Sequence, residues 1–187
     1  MKATQTLMNE HRVIERVLTA LEIAAGRVSL GEEVRPAFFI NAALFIKNFA
    51  DGCHHHKEEG ILFVAMNEAG MPSEGGPIGV MLAEHKQGRE FTAAMKDAAE
   101  KWDKGDRSAR GAVAHNASNY ASLLRLHIQK EDTILFPMAE RAIPPQQQEK
   151  VEADFERAGI EEAATGVHDK YLALAEVLEK ESTKKIS

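Results

Sequence analysis

The chain has 187 residues, enough for one domain with a substantial core, and its 28% charged and 44% hydrophobic residues describe a globular composition, not a disordered one. A formal net charge of −6 weighs against nucleic acid or an anionic membrane as the main partner, since both call for clustered Lys and Arg. The single cysteine, Cys53, excludes an intramolecular disulfide framework and fits a reducing compartment.

The opening residues carry no apolar leader, and the longest greasy segment, "AFFINAALFI", is too short to span a bilayer, so the expectation is a cytoplasmic protein. Glycine and proline divide the chain into long helix-like blocks. The first runs from about Thr4 to Val28, with Leu7, Ile14, Leu18, Leu21 and Ala25 at helical spacing. The second starts at Pro36, a good first-turn residue, and runs to about Glu68. The third runs from about Pro77 to Trp102, and the fourth from about Ser108 to Ala142, with Pro137 expected to kink it or begin a new turn. Two shorter helices are expected beyond Pro145, over about 146–157 and 160–181. No window alternates with period two. The expected fold class is all-α: an up-down-up-down four-helix bundle over residues 1–142, with a helical C-terminal extension, residues 143–187, packed on it.

The blocks repeat. His54 and Glu58 recur 73 residues later as His127 and Glu131, and Glu10-His11 recurs 74 residues later as Glu84-His85. Each half therefore reads Glu-His on its first helix and His-x-x-x-Glu on its second, the signature of a duplicated helical hairpin. Residues four apart share a helix face, roughly 5–6 Å apart at Cβ, so each His-x-x-x-Glu can grip one cation or two adjacent ones. Two hairpins packed face to face bring four imidazoles and two carboxylates to one point in a bundle core, a ligand set that suits Fe, Zn, Cu or Ni.

Helical phase selects among the three adjacent histidines. At about 100° per residue, His54 shares its stripe with Ile40, Ala43, Ala50, Glu58, Ile61 and Ala65. His55 falls at the border and His56 points almost opposite, so His55, His56 and Glu59 are expected at the rim or in solvent. In the fourth block His127 and Glu131 share a stripe with Val113, Tyr120, Leu124 and Ile134. Tyr120 is expected either as core packing or as the lining of a small-ligand pocket. Glu10 and Glu84 are either surface residues or neighbours of the ligands. His115, about 18 Å along the helix from His127, and His168 are expected outside the site.

At "NEHRVIE", "AEHKQG", "HHHKEEGILF" and "HIQKEDTILFPM" the chain resembles a hemerythrin-like, or HHE cation-binding, domain, over about residues 4–142. The resemblance implies a four-helix bundle around two non-haem iron ions joined by an oxo or hydroxo bridge, with Mn or Zn as substitutes. It implies His11, His54, Glu58, His85, His127 and Glu131 as ligands, the glutamates bridging. Oxygen-carrying members have a second histidine four residues after the first on the third helix; here Arg89 stands there. Where they carry Asp five residues after the last histidine, this chain has Asp132 directly after Glu131. The missing imidazole turns the expectation from oxygen transport towards sensing, iron handling and proteins resembling those of nitrosative stress and iron-sulfur repair. Glu15, four residues after His11, is a further candidate ligand. Two classes of function stay open: a module that binds O2 or NO, and a redox enzyme reducing peroxide or NO or donating iron for cluster repair. A third is a helical interaction module with a structural metal. The C-terminal helices are the expected surface for a protein partner or a second copy.

Overall fold

The structure is a computed structural model that describes residues 1–184. Four long helical rods form the body. Helix α1 is Lys2–Ser29. Helix α2 covers residues 36–68 as Pro36–Phe45, a π-helical stretch Ile46–His55, a second one Glu58–Leu62, and an end segment Phe63–Glu68. Helix α3 is Gly76–Asp103. Helix α4 covers residues 107–142: a 3-10 turn Arg107–Ala109, then Arg110–Lys130, a π turn Glu131–Leu135, and Phe136–Ala142. No strand occurs among the described residues, and no helix among them is long and apolar enough to cross a membrane. The fold is an all-α helical bundle, as the block pattern implies.

The π turns are part of the repeat. Glu58–Leu62 and Glu131–Leu135 occupy the same place in both hairpins, each opening on the glutamate. Pro137 follows the second of these wide turns, so a residue without an N–H falls where the regular hydrogen-bond ladder is already relaxed. The longer π stretch Ile46–His55 has no counterpart in α4.

Neighbouring rods close a ring: α1 packs on α4, α4 on α3, α3 on α2, and α2 more thinly on α1. The extension lies at that thin side. Helix α5 (Pro145–Thr165) touches α1 and the Glu58–Leu62 turn, and α6 (Val167–Ser182) lies against both α1 and α2. Arg16–Glu179 (2.5 Å) and Arg35–Glu181 (2.7 Å) tie α6 to the rods. The expected break between the two C-terminal helices, around Gly159, falls instead at Gly166. There φ is +65°, the left-handed conformation that glycine adopts without a Cβ penalty and that closes helices. Gly159 stays inside α5 on its exposed side.

Two apolar clusters fill the interior. One joins α1 from Ile14 onwards, Phe38 to Ala50, Met95 to Trp102, Val113 to Ile128, and Tyr171, Ala175 and Leu178 of α6. The other joins Ala3, Leu7, Leu62, Met66, Ile78, Leu135, Phe136 and, from α5, Val151 and Phe155. Between them, at the level of His11, lies a polar layer.

Candidate metal centre

That layer is set by the repeat. His11 and His85 face inward from α1 and α3, between buried residues one turn to either side, while His54, Glu58, His127 and Glu131 come from α2 and α4. All six are buried. Their ligand atoms, joined by one of His55, gather in two groups: His11, His54, Glu58 and Glu131 in one, and His55, Glu58, His85 and His127 in the other, the atoms within each lying within 4.8 Å of one another. The glutamates link the groups. Glu58 turns Oε1 to His54 Nε2 (3.4 Å) and Oε2 to His85 Nε2 (3.5 Å). Glu131 Oε2 lies 3.2 Å from His11 Nε2 and 3.1 Å from His127 Nε2.

Each imidazole is held from behind by a carboxylate at Nδ1. His11 donates to Asp132 (2.7 Å), His54 to Glu10 (3.0 Å), His55 to Asp51 (2.9 Å), His85 to Glu59 (2.8 Å) and His127 to Glu84 (3.0 Å). With Nδ1 carrying its proton, Nε2 is left as the free lone pair, the tautomer a metal-bound histidine needs. The pattern obeys the repeat. The glutamate before each first-helix histidine holds the second-helix histidine of its own hairpin. The acidic residue after each inward glutamate holds the first-helix histidine of the opposite hairpin. Glu10 and Glu84 are thus the neighbours of the inner histidines and not surface residues. Lys57 donates to Glu10 (2.6 Å), and Lys130 to Glu84.

Burial and charge pull these groups in opposite directions. Burial, helped by His11, pushes His54 down to about 4, and burial also lowers His55 and His85. Burial acts the same way on His11 and His127, but Asp132 and Glu131 hold His11 up, and Glu131 and Glu84 hold His127 up, to about 9. Burial and the charge of Glu131 push the Glu58 carboxyl well above the ordinary range. Burial would raise Glu131 too, yet His127 and His11 outweigh it and hold it low. His11 Nε2, His54 Nε2 and all four oxygens of Glu58 and Glu131 are buried without a hydrogen bond. His85 Nε2 and His127 Nε2, each on a ring already protonated at Nδ1, face one another at 3.0 Å. A bound cation resolves these conflicts together, because it favours neutral imidazoles and ionised carboxylates. The residues fit such an ion: imidazole and carboxylate are the ligands of Fe, Zn and Mn.

His55 corrects the helical-phase expectation. It is not at the rim: it is 3% exposed, its ring stacked on that of His85 with centroids 3.8 Å apart and planes at 20°. The expectation assumed a regular α-helix, whereas His54 and His55 end a π-helical stretch, whose wider turn brings adjacent residues onto a common side. The available signal was Asp51, four residues before His55, in a pair with no equivalent at Leu124 and Ile128. His56 is exposed, as phase implies, and Glu59 is half-buried. Glu15 is not brought to the centre; it pairs with Arg12 (3.0 Å) where water reaches both. Arg89 binds Glu59 and Asp51, the carboxylates behind His85 and His55. His115 is exposed beside Asn119. His168 packs over Phe49 (5.8 Å) at a cleft of about 260 Å³ that also touches Glu10 and Lys57. Tyr120 is buried against Gly88, its hydroxyl without a partner and its pKa pushed far up by burial.

Comparison with known proteins gives two findings. The family model described as the hemerythrin HHE cation binding domain matches residues 2–139. Uncharacterized proteins of Mycobacterium bovis and Mycobacterium tuberculosis are 26% identical to the chain over 135 residues, 72% of its length. The chain spans about half the length of these curated relatives, 52%. No solved structure matches it.

Proposed function

The chain belongs to the hemerythrin HHE cation-binding family, and on that premise we propose that it is a non-haem di-iron protein that binds a small ligand, O2, NO or peroxide, in sensing, iron handling or stress response. The observation that carries this reading is the sharing of carboxylates. Glu58 addresses one imidazole of each group, and so does Glu131. Two cations held by His11, His54, His85 and His127 and bridged by Glu58 and Glu131 would use all four glutamate oxygens that are otherwise buried without a partner. Iron, when bound, supplies redox change and affinity for diatomic ligands.

The chain's own residues do the rest. Asp132, Glu10, Glu59 and Glu84 fix ring orientation and keep each Nδ1 protonated, which raises the basicity of Nε2. The two apolar clusters above and below keep water from the layer and strengthen electrostatic interactions inside it.

Metal analysis of protein purified without oxygen tests the reading. Two ions per chain are expected, and Glu58→Ala or Glu131→Ala should each lose at least one. If both variants keep full metal content, the bridging role is wrong. Absorption bands that appear on exposure to O2 or NO and vanish on its removal support binding; consumption of peroxide or NO with turnover would make the protein a redox enzyme.

A further inference from the structure

We infer that His55 is a fifth imidazole ligand, and that the two metal positions are therefore unequal: three imidazoles (His55, His85, His127) hold a divalent transition-metal ion more tightly than the two of His11 and His54. This rests on the dinuclear reading above. One ring nitrogen of His55 lies within 4.8 Å of the ligand atoms of Glu58, His85 and His127. Its Nδ1 is already bonded to Asp51 at 2.9 Å, so Nε2 is the nitrogen left to bind an ion.

Three features separate this from a histidine that merely packs. His55 carries the same carboxylate support at Nδ1 as His11, His54, His85 and His127, the arrangement that orients a ligating imidazole. Its support is itself supported: Arg89, on α3, binds both Asp51 and Glu59, and so fixes the acceptors of two stacked rings, His55 and His85. The π-helical stretch Ile46–His55, absent from the other hairpin, is what brings two consecutive histidines to one centre. A π-helical stretch of ten residues is rare, and π turns occur frequently at functional sites. The third helix thus contributes a positioning cation at residue 89, and the second helix contributes the additional imidazole.

The test uses the full chain stripped of metal and loaded with Co(II) without oxygen. In the proton NMR spectrum of the loaded parent, the paramagnetically shifted exchangeable imidazole resonances should number five, one for each Nδ1–H of His11, His54, His55, His85 and His127. His55→Gln should leave four. In calorimetric titration the parent should bind two Co(II) ions in two steps. Asp51→Asn should weaken the tighter step by about 10–100-fold, the usual effect of losing a carboxylate behind a ligating histidine. His55→Gln should weaken it at least as much, while His56→Gln changes neither step. Four resonances in the parent, or an unchanged tighter step in both His55→Gln and Asp51→Asn, overturns the assignment of His55 alone. A parent that binds fewer than two ions overturns it together with the dinuclear reading.

Discussion

Superposed by their 73- and 74-residue offsets, the two hairpins agree at six central positions, His55 having no counterpart, and part company around them. Glu10, His11, His54, Lys57, Glu58 and Glu59 correspond to Glu84, His85, His127, Lys130, Glu131 and Asp132, and each pair makes the same kind of contact. Outward from there the equivalents diverge. Lys57 has 2% of its side chain exposed and lies between Glu10 and Glu162 of α5; Lys130 has 36% exposed and touches Glu84. Cys53 is buried, whereas its equivalent Leu126 is 62% exposed. The cause is the extension, which packs on α1 and α2 and leaves the outer side of α4 uncovered. Duplication accounts for the inward side chains that the hairpins share, to which the first hairpin adds His55; what covers each copy decides their electrostatic surroundings.

The sharpest way to break the comparison is to neutralise equivalent glutamates in metal-free protein. Glu131 stays ionised between His11 and His127, whose pKa values it raises. Glu131→Gln removes the counter-charge of two buried imidazoles and should cost about 3–5 kcal/mol. Glu58 faces His54 and His85, both pushed towards the neutral form, and its own carboxyl is held protonated. Glu58→Gln swaps one neutral polar group for another and should change stability by less than about 1 kcal/mol. Urea unfolding after chelation reads the difference. Equal costs would mean that the two carboxylates occupy equivalent fields.

A smaller contrast is expected at the lysines. The Lys57 ammonium donates to Glu10 at 2.6 Å and to Glu162 at 2.9 and 3.0 Å. Lys57→Met leaves the buried Glu10 charge without its cation, for a loss of about 3 kcal/mol. Lys130→Met removes a pair open to water and should cost at most about 1 kcal/mol. The same unfolding experiment checks both, and similar losses would show that α5 does not seal the first hairpin.

The four rods were readable from glycine and proline because long periodic blocks with sharp ends leave few alternatives. The six inward residues shared by the hairpins were readable because an offset repeated at Glu-His and at His-x-x-x-Glu cannot arise from surface patterning. His55 was not, since a fixed 100° per residue carries no information about where a helix widens. Arg89 looked like a lost ligand, when it is the cation tying Asp51 to Glu59. Gly166 and Gly159 are equivalent as helix breakers in sequence; only packing, with Val151 and Phe155 buried upstream and Tyr171 downstream, tells which one turns the chain. Glu15 shares the face of His11, but phase cannot show that Arg12 holds it at the rim.

The thiol at position 53 gives the mildest test of how the extension covers one hairpin and not the other. Burial, with the charge of Glu162 nearby, pushes the Cys53 pKa up to about 11. Two units above the ordinary value leave about 100-fold less thiolate at pH 8, and the thiolate is the form that reacts with iodoacetamide. A cysteine placed at the equivalent position of α4, Leu126→Cys in a Cys53→Ala background, stands on a bare surface and should alkylate at least about 100-fold faster than Cys53 in the parent. Mass spectrometry over a time course measures both rates. Comparable rates would mean that α5 and α6 lift away from α2 often enough to expose it, and the burial of Lys57 and Glu10 beneath them would then be transient as well. A wide gap in rates would instead make the extension a fixed wall of the centre, shielding His54 and its support from water on one side while His127 keeps a solvent-facing neighbour in Lys130.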